Sequence, residues 1–136
     1  VFDATRMSEP HYLEKLMTLR EVKPMLRSWD IPGTISFYRD VLGFLCQSYD
    51  PNWGWAQLSR DNVTLMLSGP NDHEGDRSPH FTGSLYFTCD DVDDLFAMIK
   101  DRVKVCYPIE DFEYGMREFG IYDNSGYLLQ FGKPLT

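Results

Sequence analysis

A glutamine inside an apolar strand, near the end of the 136-residue chain, is the first group that suggests chemistry. In "REFGIYDNSGYLLQFG" (residues 117–132), Gln130 stands between Leu129 and Phe131. An amide at such a place can coordinate a metal ion, hydrogen-bond a ligand in a pocket, or satisfy a neighbouring strand. The rest of the sequence must show which of these three roles the Gln130 amide has.

The residue types that most often bind metals are not spaced as a site. The three histidines, His11, His73 and His80, lie in an N-terminal arm and a polar loop. The acidic run at residues 72–76 around His73 can hold an adventitious ion, although a solvated charged loop is the commoner meaning of such a run. The sequence places no pair of carboxylates in a cleft for general acid–base work.

Composition limits the partners and the compartment. A net charge of -8 and a pI near 4.7 argue against nucleic acid and anionic membrane. Cys46, Cys89 and Cys106 are an odd set without a C-x-x-C spacing, which predicts buried free thiols in a reducing cytosol. No apolar run reaches the length of a membrane span and no secretory segment is recognised, so we expect a cytoplasmic protein.

The elements that must position the polar groups occur twice in the same order. "VKPMLRSW" predicts a strand, Asp30 can cap a helix that Gly43 ends, and "FLCQSY", "GWAQLS" and "VTLMLS" predict three more strands. "GSLYFTC", the helix "DDVDDLFAMIKD", and "VKVCYP", "MREFGIY" and "YLLQFG" repeat that order. The sequence therefore predicts an α+β fold of two βαβββ modules. We expect an arm at 1–19 and one domain at 20–136, with modules at about 20–69 and 82–133 and a linker at 70–81.

Alternation along the strands separates a uniform face from a mixed one. A two-residue turn at Asp61 and Asn62 pairs Gln57 with Met66, which places them on one face with Trp55. The opposite face is wholly apolar, and we expect it to pack under the helices. The mixed face is expected to wall a cleft; the alternative is that it simply meets water, as antiparallel sheets often do.

The second module is predicted to have a similar mixed face, which includes Tyr86. A turn at Asn124 and Ser125 would place Gln130 opposite Phe119, with Arg117 on the same face. The stretch "PIEDFEYG" (residues 108–115), which contains Phe112, is predicted to be a loop that either covers the cleft or packs as an ordinary loop.

Two of these segments carry a family resemblance. "SWDIPGTISFYRDVLGF" (residues 28–44) resembles the first helix segment of the vicinal oxygen chelate superfamily, and "GMREFGIYDNSGYLLQF" (residues 115–131) resembles its closing hairpin. That superfamily holds glyoxalase I, extradiol dioxygenases, and fosfomycin and bleomycin resistance proteins. The resemblance covers about residues 19–133. It implies the glyoxalase/bleomycin resistance fold, with curved mixed sheets around a cleft and often a homodimer.

The same resemblance implies where a metal would be held. The family's four ligand positions fall on Lys23, near Met66, on Ser84 and on Gln130. An ammonium, a thioether, a hydroxyl and one amide are a poor set for a divalent ion, so we expect no metal and no cofactor. Losing the metal while keeping the cleft resembles the bleomycin resistance branch, which sequesters a cationic antibiotic without chemistry.

The leading hypothesis is therefore a small-molecule binding protein that works without a metal and forms a homodimer, with no nucleic-acid or membrane partner. The rivals are a lyase-type or dioxygenase-type enzyme of the superfamily, with or without a metal, and an interaction module whose aromatic face makes the dimer. Arg117 can instead pair with Glu118 or Glu113, and Gln130 can serve a neighbouring strand. The expected ligand contacts are Trp55, Gln57, Met66, Lys23, Tyr86, Arg117, Phe119, Gln130, Trp53 and Phe112.

Overall fold

The computed structural model describes residues 19–72 and 78–136. The predicted N-terminal arm, except Leu19, and residues 73–77, which include His73, lie outside the described residues. Within the described part, no helix is long and apolar enough to cross a membrane.

Within residues 19–72 and 78–136, eight strands and two helices follow one another in the predicted order. The first module contains β1 (Met25–Arg27), α1 (Ile31–Asp40), β2 (Leu45–Asp50), β3 (Trp55–Arg60) and β4 (Val63–Ser68). The second contains β5 (Leu85–Thr88), α2 (Val92–Ile99), β6 (Lys104–Asp111), β7 (Met116–Tyr122) and β8 (Leu128–Pro134).

Each module builds a four-stranded mixed sheet of the same topology. The strand orders are β1-β4-β3-β2 and β5-β8-β7-β6, and in both sheets only the first pair is parallel. Irregular registers between Cys46 and Ser48, and along β6, mark bulges, which bend strands and increase their twist. The predicted α+β fold of two βαβββ modules is confirmed.

The start of α1 follows from its sequence. Asp30 is the N-cap residue, and its carboxylate accepts the backbone N–H of Gly33 at 3.0 Å. Pro32 lies in the first turn, where its missing N–H costs no helical hydrogen bond. Beyond the last turn, Gly43 has φ +73°, a left-handed conformation that glycine adopts readily.

One hydrophobic core joins the two modules. The uniform apolar face of β3 and β4 is almost wholly buried, as predicted, through Ala56, Leu58, Leu65 and Leu67. The modules are also tied by a buried hydrogen bond of 2.7 Å from the Tyr38 hydroxyl to Asp123 Oδ2.

Two local expectations are wrong. β6 continues to Asp111, so half of the stretch predicted as a loop at residues 108–115 is strand, and Phe112 follows its end. The three thiols are free, but Cys106 is exposed rather than buried, and only Cys46 and Cys89 are half-buried. Exposed and partly buried residues alternate along β6, which is an edge strand of its sheet, and Cys106 falls among the exposed ones.

The register of β7 against β8 differs from the prediction by one residue. Gln130 lies opposite Gly120, and Phe119 lies opposite Phe131. The backbone N–H of Asp123 donates to the Tyr127 carbonyl, so the loop has three residues, 124–126, rather than two. A slip of one residue exchanges the faces of a strand, which puts Phe119 in the core and brings Glu118 to the side of Gln130.

Candidate functional site

The mixed face of the first sheet borders a cavity of about 450 Å³. The register places Trp55 between Asp50 on β2 and Ser68 on β4, so these three side chains share a face. Trp55 is half-buried and Trp53 is 83% exposed. The cavity is lined by Ser48, Asp50, Trp53, Gly54, Trp55, Ser68, Gly69 and Asn71.

Asp50 fixes the turn that carries Trp53. Its Oδ1 accepts the backbone N–H of Asn52 at 2.9 Å and that of Trp53 at 3.2 Å. The next turn residue, Gly54, has φ +62°, and its carbonyl accepts the N–H of Gly69 at 2.8 Å. The carboxylate therefore holds one wall of the cavity and contributes negative charge to the lining.

Further along the same face, the predicted contacts lie side by side. Gln57 pairs with Met66, and Met66 pairs with Met25 across the parallel strands, so the predicted hairpin register is confirmed. The Lys23 ammonium donates to Gln57 Oε1 at 3.3 Å, and Gln57 Nε2 donates to Gln47 at 2.7 Å. Lys23 and Gln57 are thus hydrogen-bonded to each other beside Met66.

Arg117 and Phe119 do not belong to the mixed face of the second sheet. Phe119 is fully buried and stacks on Phe131 with 5.2 Å between ring centroids, under α2. Arg117 donates to Asp93 on α2 and to Asp111, at 2.7 and 2.9 Å. The one-residue register shift moves both side chains to the helix side, so the prediction that they share the mixed face with Gln130 is wrong. The alternative that Arg117 pairs with Glu118 or Glu113 is not what the structure shows either, since its partners are Asp93 and Asp111.

The shift instead places Glu118 on the side of Tyr86 and Gln130. Glu118 is 1% exposed, and its two carboxylate oxygens accept the hydroxyls of Tyr86, at 3.0 Å, and Tyr107. The two strand glycines make room for these rings. A Cβ at Gly120 would lie 2.9 Å from Tyr107 Cδ1, and one at Gly132 would lie 2.8 Å from Tyr86 Cζ.

A directional hydrogen-bond chain ends at this carboxylate. The Ser84 hydroxyl donates to Gln130 Oε1 at 2.5 Å, Gln130 Nε2 donates to the Tyr107 hydroxyl oxygen at 3.0 Å, and Tyr107 donates to Glu118. Burial, together with the hydrogen bond to Glu118, raises the pKa of Tyr86 to about 12 and shifts the pKa of Tyr107 further upward. Both phenols therefore remain neutral at ordinary pH.

Two aromatic side chains after β6 extend this cluster. The rings of Phe112 and Tyr114 stack with centroids 5.4 Å apart, and Phe112 meets Tyr107 edge-on at 5.6 Å. Desolvation and the nearby Glu118 carboxylate raise the pKa of Tyr114 to about 12. Phe112 thus packs beside the group formed by Ser84, Tyr86, Tyr107, Glu118 and Gln130, which we call the Glu118 cluster.

The residues at the family's metal positions do not fit a divalent ion. Gln130 is engaged at both ends of its amide, Ser84 donates to it, and Lys23 carries a positive charge. Across residues 19–72 and 78–136, no three His, Cys, Asp or Glu side chains are grouped as a metal site needs. This donor set gives no basis for a step through a metal ion.

Sequence reasoning missed Asp50, Tyr107 and Glu118. The available signal was the pair Gly120 and Gly132 inside apolar strands, because glycine within a strand often marks the close approach of another group. The charge of Glu118 in an otherwise buried strand was the second signal, since an isolated buried carboxylate needs hydrogen-bond partners.

Comparisons with known proteins agree with this architecture. A family model described as Glyoxalase/Bleomycin resistance protein/Dioxygenase superfamily matches residues 22–131. No match was found among curated proteins. A solved protein of unknown function from Agrobacterium tumefaciens is 25% identical, with a TM-score of 0.72 over 88% of this chain and 97% of that one.

Two further solved structures are similar in fold at lower identity. A glyoxalase/bleomycin resistance protein/dioxygenase from Nocardioides is 16% identical, with a TM-score of 0.70 over 91% of each chain. A lactoylglutathione lyase from Agrobacterium tumefaciens is 19% identical, with a TM-score of 0.65 over 84% of this chain and 92% of that one. At these identities the likeness establishes the fold alone.

Proposed function

Because this chain belongs to the glyoxalase/bleomycin resistance protein/dioxygenase superfamily, we propose that it is a small-molecule binding protein that takes up an aromatic cation without a metal ion. The observation that carries the proposal is the cavity of about 450 Å³ walled by Trp53 and Trp55, with Asp50 in its lining. Its size falls within the range of ordinary ligand pockets. Sequestration of an antibiotic of this chemistry is the finer form of the proposal.

The cavity's chemistry supports a cationic aromatic ligand. An indole is the strongest of the aromatic side chains for cation–π contact, and it also offers a broad stacking surface. Asp50 adds a carboxylate at the same place. The net charge of -8 raises the local concentration of cations around the whole protein. Gln57, Met66 and Lys23 continue the same face and are the contacts for the remainder of a larger ligand.

The proposal includes a homodimer in the cytoplasm. Two large apolar side chains of β2, Leu45 and Tyr49, are 67% and 42% exposed on an edge strand, and exposed edges favour pairing with another chain. Free cysteines are typical of a reducing compartment. Sedimentation of Trp55→Ala separates an aromatic interface from an aromatic binding wall: loss of the dimer with ligand binding intact favours the interface.

Isothermal titration calorimetry with a matched pair of compounds tests the binding. We expect 1-naphthylmethylammonium to bind and 1-naphthylmethanol, of the same shape without charge, to bind about tenfold more weakly. Trp55→Ala should weaken the cation by a similar factor, and Trp29→Ala, which changes an exposed indole outside the cavity, should not. Bleomycin is titrated beside them as a cationic antibiotic.

The charge contribution is tested separately with Asp50→Asn. Asparagine keeps the Oδ1 acceptor for the Asn52 and Trp53 amides, so the turn is preserved while the charge is removed. This variant should discriminate less between the two naphthyl compounds. Equal binding of both compounds by the unaltered protein, or tight stoichiometric binding of a divalent ion at Gln130 and Ser84, contradicts the proposal.

A further inference from the structure

The second sheet contains a buried carboxylate without a counter-charge. Glu118 is 1% exposed, and no Lys, Arg or His among residues 19–72 and 78–136 forms an ion pair with it. The neighbouring cation in sequence, Arg117, lies on the opposite face and pairs with Asp93 and Asp111. A buried charge balanced only by hydroxyl dipoles is costly, and a cation placed next to it lowers that cost.

Three hydroxyl groups near this carboxylate already donate their hydrogens within the protein. The hydroxyls of Tyr86 and Tyr107 both donate to Glu118, and the Ser84 hydroxyl donates to Gln130. Because the Tyr86 and Ser84 hydroxyl hydrogens are directed to Glu118 and Gln130, the oxygens of these two hydroxyls have lone pairs left for a partner. The cluster is therefore suited to accept hydrogen bonds from an N–H donor and unsuited to an anion.

The aromatic surroundings suit a positive charge as well. Tyr86 and Tyr114 are 43% and 65% exposed, so ring surface is accessible above the buried carboxylate. The protein already places one ammonium over a tyrosine of the same sheet, with Lys104 Nζ 5.3 Å from the centre of the Tyr122 ring. Cation–π contact of this kind contributes about 0.5–2 kcal/mol, more as water is excluded.

From these observations we propose that the face of the second sheet formed by Ser84, Tyr86, Tyr107, Tyr114 and Glu118 is a separate binding site for a primary alkylammonium group. The ammonium supplies the missing counter-charge, donates hydrogen bonds to the outward lone pairs, and lies against the tyrosine rings. This site is independent of the indole-walled cavity on the first sheet, and it requires neither an aromatic ligand nor Trp55.

An NMR titration of the 15N-labelled protein with n-butylammonium chloride tests the site. n-Butanol, of nearly the same shape, and sodium chloride at equal ionic strength are the controls. We expect n-butylammonium to shift the backbone amides of β7 and β8 around Glu118 and Gly132, and to leave the Trp55 indole signal unchanged. Equal shifts with n-butanol, or shifts confined to the first sheet, overturn the proposal.

Two variants test whether the Glu118 carboxylate itself, rather than the net negative charge of the protein, binds the cation. Glu118→Gln is nearly isosteric and keeps one oxygen acceptor, and it should weaken n-butylammonium binding about tenfold or more, because the charge partner is lost. Asp101→Asn removes the same net charge from the exposed turn after α2 and should leave the affinity unchanged. If Glu118→Gln binds as the unaltered protein does, the proposal is wrong.

Tyr86→Phe provides a second readout should Glu118→Gln fail to fold. It removes one acceptor while the aromatic ring and the buried carboxylate remain, and we expect an affinity loss of about threefold for n-butylammonium. Tetramethylammonium has no N–H to donate, so its affinity should not change in Tyr86→Phe. A loss of equal size for both cations would contradict the assigned hydrogen bond.

Discussion

Gly132→Ala is the most direct perturbation of the Glu118 cluster. A Cβ at this position would lie 2.8 Å from Tyr86 Cζ and 3.2 Å from Glu118 Cβ, and it would lie closer still to the Tyr86 hydroxyl. Real side-chain carbons do not approach so closely, so Tyr86 must swing away. The substitution therefore breaks the hydrogen bond from Tyr86 to Glu118 without changing either residue.

Two opposing contributions set the expected size of the effect. A hydrogen bond to a charged group contributes about 1.5–3 kcal/mol, and the lower end applies here because Tyr86 is 43% exposed. Replacing glycine by alanine in a strand gains about 0.5–1 kcal/mol in chain entropy. We therefore expect Gly132→Ala to lower the free energy of unfolding by about 0.5–1 kcal/mol.

A double-mutant cycle with Tyr86→Ala isolates the cause. Without the ring the new methyl group meets no obstruction from Tyr86, so Gly132→Ala should become neutral or stabilising, and the coupling free energy should be about 1.5 kcal/mol. Urea unfolding followed by tryptophan fluorescence measures all four proteins, at an unchanged denaturant slope. Gly83→Ala is the control, since its Cβ would contact Phe81 at an ordinary 3.5 Å. An equal cost of Gly132→Ala in both backgrounds refutes the reasoning.

Three further predictions concern the core and the buried hydrogen bond between Tyr38 and Asp123. Tyr38→Phe removes the buried donor to Asp123, and urea unfolding should show a loss of about 1–3 kcal/mol; no loss would mean that the bond is not formed. Burial raises the pKa of Asp123 despite its hydrogen bonds. The folded state then binds more protons between the unfolded value of about 3.9 and the raised folded value. The unfolding free energy of the unaltered protein, relative to Asp123→Asn, should therefore fall as pH rises through that window, and a rise contradicts the shift. Leu58→Ala empties a fully buried position and should cost about 2–5 kcal/mol by thermal unfolding, whereas a cost below 1 kcal/mol indicates a different packing.

Local chemistry made the first module predictable. Aspartate is a residue type favoured at the N-cap, and Asp30 directly precedes the apolar pattern of α1. The predicted start of the helix therefore matches the observed one. Asp61 and Asn62 form the expected two-residue turn, which pairs Arg60 with Val63 and sends Gln57 and Met66 to one face. When turn length and alternation agree, the contents of a face follow from the sequence.

The faces of the second module were harder to predict, because the Asp123 side chain stabilises a longer loop between β7 and β8. Asp123 Oδ1 accepts the backbone N–H groups of Ser125 and Tyr127, both at 2.9 Å, and Gly126 takes φ +91°. The loop thereby gains one residue relative to the predicted turn. Propensity does not separate these loops, since asparagine, serine and glycine suit both. The buried hydrogen bond that Asp123 accepts comes from Tyr38 in the other module, so the sequence around the turn does not predict it.

The extra loop residue between β7 and β8 determines which side chains Gln130 contacts. Opposite Phe119, its amide would have faced an aromatic ring and remained available to a ligand or an ion. Opposite Gly120, it meets space that the Tyr107 ring occupies, and its amide is engaged by Tyr107 and Ser84. Gln130 therefore orients Tyr107 toward Glu118. The position that the family resemblance assigns to a metal ligand supports, in this chain, a buried carboxylate that forms no ion pair within the described residues.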